Sequence, residues 1–403
     1  MKKLIWIGCL SYFLIGLAHV ILGSVLPVVL EHYNRDYSDS GTLIFTQFTG
    51  FLLGVLVSPW FNRRFGKRVE LLIATGLLCC CELLYMALPP WGWLYIIALG
   101  AGFGFGMIEA VIGTVIISAI KENTAIAMSR LEVLFGIGAL VMPLIASGLM
   151  EAGYWRISFA VVALFGVATI AFWAKGSFGE MDQVLDQRSA PEKTGTQPSK
   201  GMRAYSGRRM LILTLFIAFF FLYVGTEMSL ANFMPAMLIE KLGMKEAGAA
   251  LSVTCFWIAM SVGRIFAGYI AEKFEYRVYV LFSCLASAVL LLLLPFTLQV
   301  WSSFAVILML GLAMSGIFSI ALVFASKLLP GTEEATPSIL IASGGVGGAV
   351  LPLLTGWSLD HMAVNETQWM FAGFAGGLLL ISGLAFRIQQ GNLEKTSNCP
   401  ERE

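Results

Sequence analysis

The chain has 403 residues, 58% of them hydrophobic and 13% charged, with a net charge of +1 and a mean hydropathy of +0.82. A soluble domain carries about 25% charged residues, so roughly half the usual charge is missing, and so small a basic excess offers no field for nucleic acid. The composition is that of a protein whose solvent is the lipid bilayer, which makes the few charges left inside apolar stretches the informative residues.

Twelve apolar runs follow one another along the chain, near 4–30, 41–61, 69–88, 94–119, 128–150, 155–174, 210–238, 248–270, 278–296, 301–326, 335–357 and 368–387. Each is long enough to cross about 30 Å of hydrocarbon as a helix. Pro27, Pro143, Pro235 and Pro352 fall within these runs, and bundled membrane helices tolerate such prolines because neighbours re-satisfy the freed backbone groups. The runs lack the period-2 alternation of a membrane β-barrel. The first is too long for a cleavable signal peptide, and no small-residue cleavage site precedes the acidic stretch from Glu31 to Asp39.

Six of the seven cysteines lie within spans, and Cys399 lies in the tail. They read as small core hydrophobes and not as a disulfide framework or a zinc set. The run Cys79-Cys80-Cys81 has no reading beyond packing. Neither a metal nor a cofactor is expected, the chain does not read as an enzyme, and the absence of a G-x-x-x-x-G-K loop excludes an ATP-driven pump.

Of the 26 Lys and Arg residues, only Arg35, Arg156, Lys241 and Lys245 fall in one set of alternate loops, with Arg264 inside a span. The remainder, including Lys2, Lys3, Arg63, Arg64, Lys121 and Lys327, fall in the other set, which the positive-inside rule assigns to the cytoplasm together with both termini. The expected molecule is a multi-pass monomer of the cell (inner or plasma) membrane.

Residues 175–209 form the one long polar segment, and they divide the spans six and six. The expected organisation is a first six-helix half over 1–174, a cytoplasmic linker over 175–209, a second half over 210–388 and a cytoplasmic tail over 389–403. A repeat supports it. At a constant offset of 209, Phe135-Gly136-Ile137-Gly138 through Pro143-Leu144 overlies Gly344-Gly345-Val346-Gly347 through Pro352-Leu353, and the same offset pairs Gly54 with Gly263, Arg64 with Lys273, Phe65 with Phe274 and Ile108 with Ile317. His19 precedes Pro27 by eight residues, as Glu227 precedes Pro235.

Repeated six-helix halves joined by a long cytoplasmic loop resemble the major facilitator superfamily, in which the halves are parallel repeats with the solute site between them near the midplane. The segment Gly268-Tyr269-Ile270-Ala271-Glu272-Lys273-Phe274 resembles that superfamily's loop motif of glycine, acid and base. The first-half copy, Asn62-Arg63-Arg64-Phe65-Gly66-Lys67-Arg68, keeps the bases and lacks the acid. The resemblance implies that Arg63, Arg64, Glu272 and Lys273 serve gating or structural roles.

A charge at bilayer depth costs several kcal/mol on the lowest scales and so marks function by default. Six ionisable residues meet that test: His19, Glu82, Glu109, Glu132, Glu227 and Arg264. Glu109 sits mid-span with no basic residue within a turn, and desolvation disfavours the charged form of such a carboxyl, so it is the leading candidate to carry a coupling proton. His19 is either a proton relay or a satisfied core histidine. Glu227 and Asn232 offer an acceptor and an amide to solute hydroxyls. Glu132 either bonds solute or pairs with Arg130 or Arg64, Arg264 reads as one end of a structural ion pair, and Glu82 stands where it could reach water. Gln47 adds an amide, and Phe256-Trp257 add flat apolar faces suited to a carbohydrate.

Thr46-Gln47-Phe48-Thr49-Gly50-Phe51, Ser129-Arg130-Leu131-Glu132-Val133-Leu134-Phe135-Gly136, Glu227 with Ala231-Asn232-Phe233 and Pro235, and Gly316-Ile317-Phe318 resemble the fucose–galactose–glucose–proton symporter family, and within it the bacterial glucose/mannose–proton symporters. The resemblance runs from His19 to about Trp357. It implies import of a hexose such as glucose or mannose, driven by protons through alternating access, with Glu109 at the position of that family's coupling glutamate and His19 in place of its span-one acid. A drug- or metabolite–proton antiporter of the same fold is the alternative, weakened by Met142 standing before Pro143 where such proteins show glycine-proline. The expected partners are therefore a sugar, a proton and the lipid bilayer.

Overall fold

A computed structural model describes residues 2–119, 124–176, Asp182, Leu185, 207–329 and 335–397. Within those residues the regular structure is helical: α1 (Lys2–Tyr33), α2 (Tyr37–Phe65), α3 (Lys67–Met86), α4 (Trp91–Ala119), α5 (Thr124–Glu151), α6 (Ile157–Lys175), α7 (Arg208–Leu242), α8 (Glu246–Phe274), α9 (Tyr276–Leu293), α10a (Val300–Met314), α10b (Ile317–Leu328), α11 (Ala335–His361) and α12 (Val364–Ser397). Twelve spans among the described residues are long and apolar enough to cross a membrane, and they coincide with the twelve runs expected. Lys121, most of the 175–209 linker and Cys399 lie outside the described residues. Helix α12 continues to Ser397, ten residues past the expected end of the last span.

One span departs from the simple reading. The tenth is two helices, because the chain turns at Ser315-Gly316 between α10a and α10b. The break frees the Met314 carbonyl, which accepts a 2.9 Å hydrogen bond from the Tyr223 hydroxyl of α7. Nothing in the apolar periodicity marks a short interruption of this kind, since the freed groups are satisfied by a distant helix.

The repeat is written into the helix ends. Tyr33 closes α1 and Leu242 closes α7; α2 spans Tyr37–Phe65 and α8 spans Glu246–Phe274; α4 begins at Trp91 and α10a at Val300, every pair 209 residues apart. Gly66 joins α2 to α3 with φ of 87°, and Glu275 joins α8 to α9 with φ of 69°, again at the same offset. A left-handed conformation costs a non-glycine residue about 1–2 kcal/mol, and at Glu275 the carboxylate accepts a 2.7 Å bond from the Arg277 side chain.

In the first half α1 packs on α5, α2 on α4, and α3 on both α4 and α6. The α2–α4 crossing uses Gly50 and Gly54 against Gly102 and Gly106, where a Cβ would strike the backbone of the facing helix; paired small residues four apart let membrane helices approach this closely. The cysteine triplet finds its explanation in the same way. Cys79 and Cys81 are buried with their sulfurs in the notches left by Gly166 of α6 and Gly100 of α4, and Cys79 Sγ donates to the Ala163 carbonyl at 3.6 Å. Cys80 points outward.

Residue contacts resolve the chain into two compact units. One comprises Met1–Gly195 with Ser229–Ile258 and Pro352–Val364; the other comprises Thr196–Met228, Ala259–Leu351 and Asn365–Glu403. The first unit thus holds the first six helices together with the last half of α7, the first half of α8 and the end of α11.

Candidate functional site

The first unit gathers four helices around His19. Its ring lies 5.3 Å from Phe48 of α2, 5.7 Å from Phe105 of α4 and 5.6 Å from Phe135 of α5, all edge to face, the arrangement aromatic quadrupoles favour. Phe51 stacks on Phe105 at 5.4 Å. Phe135 in turn meets Trp257 of α8 at 5.9 Å, and Trp257 meets Phe256 at 6.0 Å. The candidates His19 and Trp257 are therefore joined through Phe135, a residue that sequence reasoning quoted only for the repeat and for the resemblance. Gln47, one residue before Phe48, is buried.

The carboxyls stand beside this aromatic cluster on the same helices. Glu109 lies on α4 one turn after Phe105, and Glu132 lies on α5 three residues before Phe135. The two acids are within electrostatic reach of one another, and both act on the buried Tyr12 hydroxyl of α1. Glu109 is half-buried and Glu132 exposed. Among the described residues Glu109 makes neither a hydrogen bond nor an ion pair. Tyr12 is the residue here that sequence reasoning missed; an unremarkable tyrosine in an apolar run carries no signal until α4 and α5 are placed against it.

Asn232 is 4% exposed and faces α1. A Cβ on Gly23 would come within 2.6 Å of its amide oxygen and 2.7 Å of its Cα, so the bare backbone of Gly23 is what admits it. Glu227, five residues earlier on the same helix, belongs to the second unit. There its carboxylate is 3.4 Å from the Arg264 guanidinium of α8, the side chains 6% and 26% exposed. Two residues considered separately in the sequence, one as a solute ligand and one as half of an ion pair, are thus partners. Glu82 corrects an expectation: it does not reach water but is 1% exposed, with its Oε2 lacking a hydrogen-bond partner among the described residues.

The chain matches the family model described as Major Facilitator Superfamily over residues 8–233 and 215–398. The chain belongs to the major facilitator superfamily. It is 30% identical over 396 residues to the glucose/mannose transporter GlcP of Bacillus subtilis (strain 168), covering 96% of this chain and 95% of that one. In three dimensions it is similar to a mutant form of the nucleoside transporter NupG, with a TM-score of 0.78 at 12% identity over 96% of this chain and 99% of the other. It is likewise similar to a D-xylose-proton symporter, with a TM-score of 0.76 at 13% identity over 95% and 97%. The protein is accordingly a multi-pass transporter of the cell membrane.

The superfamily's loop-motif positions are at the helix ends. Arg63 and Arg64 are exposed at the close of α2, with Arg64 over the Phe65 ring at 5.8 Å. Glu272 and Lys273 are exposed at the close of α8, Lys273 over Phe274 at 5.6 Å. Where the first-half motif lacks its acid, Asn62 is buried at 7% exposure. In the same segment Arg68 pairs with Asp182 of the linker.

Proposed function

We propose that this transporter moves a hexose across the membrane together with a proton. The observation that carries the reading is Glu109: a carboxyl on α4, without a counter-ion among the described residues, beside an aromatic cluster in a chain 30% identical to a glucose/mannose transporter. An acid so placed can take up a proton and release it without leaving a bare cation behind. The rings of Phe135, Phe256 and Trp257 offer flat faces to the C–H face of a sugar, while Gln47, Glu132 and Asn232 supply the few polar groups a pocket needs for orientation. His19, ringed by three phenylalanines, belongs to that wall and holds its shape, and Glu109 carries the proton.

Transport then follows alternating access around a site that stays near the midplane. Proton and sugar bind together, and each favours the conformation in which the carrier can reorient. Proteoliposomes loaded with unlabelled glucose should accumulate external labelled glucose by counterflow, and excess mannose should compete while a nucleoside should not. Counterflow with the nucleoside and none with either hexose would transfer the site to another solute class.

A further inference from the structure

At the end of the first unit opposite the chain's N-terminus, α2 begins without a cap of its own. Asp36 stands at the N-cap and its side chain makes no capping bond, although the first four N–H groups of any helix lack intrahelical acceptors. The acceptor comes from the second half of the chain. Asp360, in the last turn of α11, takes the Tyr37 N–H on Oδ1 at 2.8 Å and the Ser38 N–H on Oδ2 at 2.5 Å. The Tyr37 hydroxyl donates to Glu240, in the last turn of α7, at 3.1 Å.

The backbones below these bonds are closely fitted. A Cβ on Gly41 would lie 3.0 Å from the backbone of Pro352 and Leu353. One on Gly356 would strike the Tyr37 carbonyl and come within 3.1 Å of Gly41. All of these residues lie within the first compact unit.

We infer that Asp360 is a latch of the transport cycle, holding α2 to α11 at this end through a carboxylate that caps a helix it does not belong to. The inference rests on the alternating-access reading, since a solute entering between these helix ends requires them to part. Two features suit a latch. A carboxylate on two backbone N–H groups also meets the positive end of the α2 dipole, and such charge-assisted bonds are the strong ones. The bonds are nevertheless exposed, so water replaces them once the ends separate, and the closed state is favoured without being locked.

The repeat supplies a built-in control. Glu151 closes α5 209 residues before Asp360, and the position matching Tyr37 is Glu246 at the start of α8. There the equivalent acid caps nothing: Glu151 makes no hydrogen bond or ion pair among the described residues, and Glu246 places a second acid at the start of α8.

Ser40, on the first turn of α2 and 0% exposed, reports the state of the latch. In Ser40→Cys protein in detergent micelles, the rate of labelling by a charged maleimide, corrected for the parent protein, measures opening at this end. Asp360→Ala should raise that rate about three- to tenfold, the yield of two charge-assisted bonds discounted for exposure. Asp360→Asn, which keeps one acceptor oxygen, should give a smaller rise, and Glu151→Ala none. Unchanged labelling in both Asp360 variants, eluting as folded protein, would overturn the latch, as would an equal rise with Glu151→Ala. Should Asp360→Ala fail to fold, Asp360→Asn decides the matter: faster labelling supports the latch and an unchanged rate overturns it. The assay uses neither sugar nor a proton gradient, so its failure and that of the transport reading are separately visible.

Discussion

Glu109 and Glu227 are both acids in mid-helix, yet the fold treats them in opposite ways. Glu227 has Arg264 at 3.4 Å; Glu109 has the rings of the His19 cluster close by and a second acid, Glu132, within electrostatic reach. Protonating Glu227 would remove the negative charge that faces the Arg264 guanidinium, and breaking a buried ion pair is costly. Protonating Glu109 breaks no ion pair among the described residues and lowers the like-charge opposition of the nearby Glu132. On the proposed reading the contrast divides the labour of the repeat: the position 209 residues after Glu109 is Phe318, so the second half has no copy of the proposed proton carrier, and it holds the Glu227–Arg264 ion pair instead.

The variant that breaks this contrast most completely is Glu109→Gln. It mimics the protonated acid, so solute exchange between internal and external pools should persist while accumulation driven by a proton gradient is lost entirely. Gradient-dependent accumulation at the parental level in Glu109→Gln would move coupling to another group. Loss of exchange as well would assign Glu109 to solute binding or folding.

Arg264→Met tests the other side. It leaves Glu227 buried without its cation, and breaking a buried pair costs about 3–5 kcal/mol; the partial exposure of Arg264 puts the expectation at the lower end. The melting temperature in detergent should fall, and Glu227→Gln added to Arg264→Met should recover most of it. No recovery in the double variant would mean that Arg264 matters for some contact other than Glu227.

Asn232→Ala comes next in size. If its amide meets a sugar hydroxyl, calorimetry should show binding weaker by about 1–3 kcal/mol, the cost of an unmet buried hydrogen bond. The smallest effect is expected from His19→Phe, which keeps the ring and removes the proton: gradient-driven uptake should persist with roughly a threefold loss at most, as for a volume-conserving aromatic change in a packed cluster. Abolished coupling in that variant would make His19 a relay and erase the distinction between an acid that titrates and a ring that packs.

The spans were legible because about twenty apolar residues without charge have few other uses, and the repeat was legible because its offset is constant down to the helix ends. Glu109 stood out by its isolation in the sequence, a property the fold preserves. Partnership was not legible. Glu227 and Arg264 are 37 residues apart on different helices, and His19, Phe135 and Trp257 meet only after α1, α5 and α8 are in place. Asp360 carried no signal in the sequence, since its bonds go to backbone N–H groups that no sequence pattern marks. The same holds for the turn at Ser315-Gly316, whose freed carbonyl is satisfied by Tyr223.

The claim that sugar and proton travel together is tested most directly by the proton itself. In lightly buffered proteoliposomes enclosing a pH-sensitive dye, with no gradient imposed, adding external glucose should acidify the interior at a rate that follows labelled glucose uptake. Glu109→Gln should show no acidification, and a protonophore should collapse the signal in the parent protein. Glucose entry in the parent protein without any change of internal pH would contradict the account.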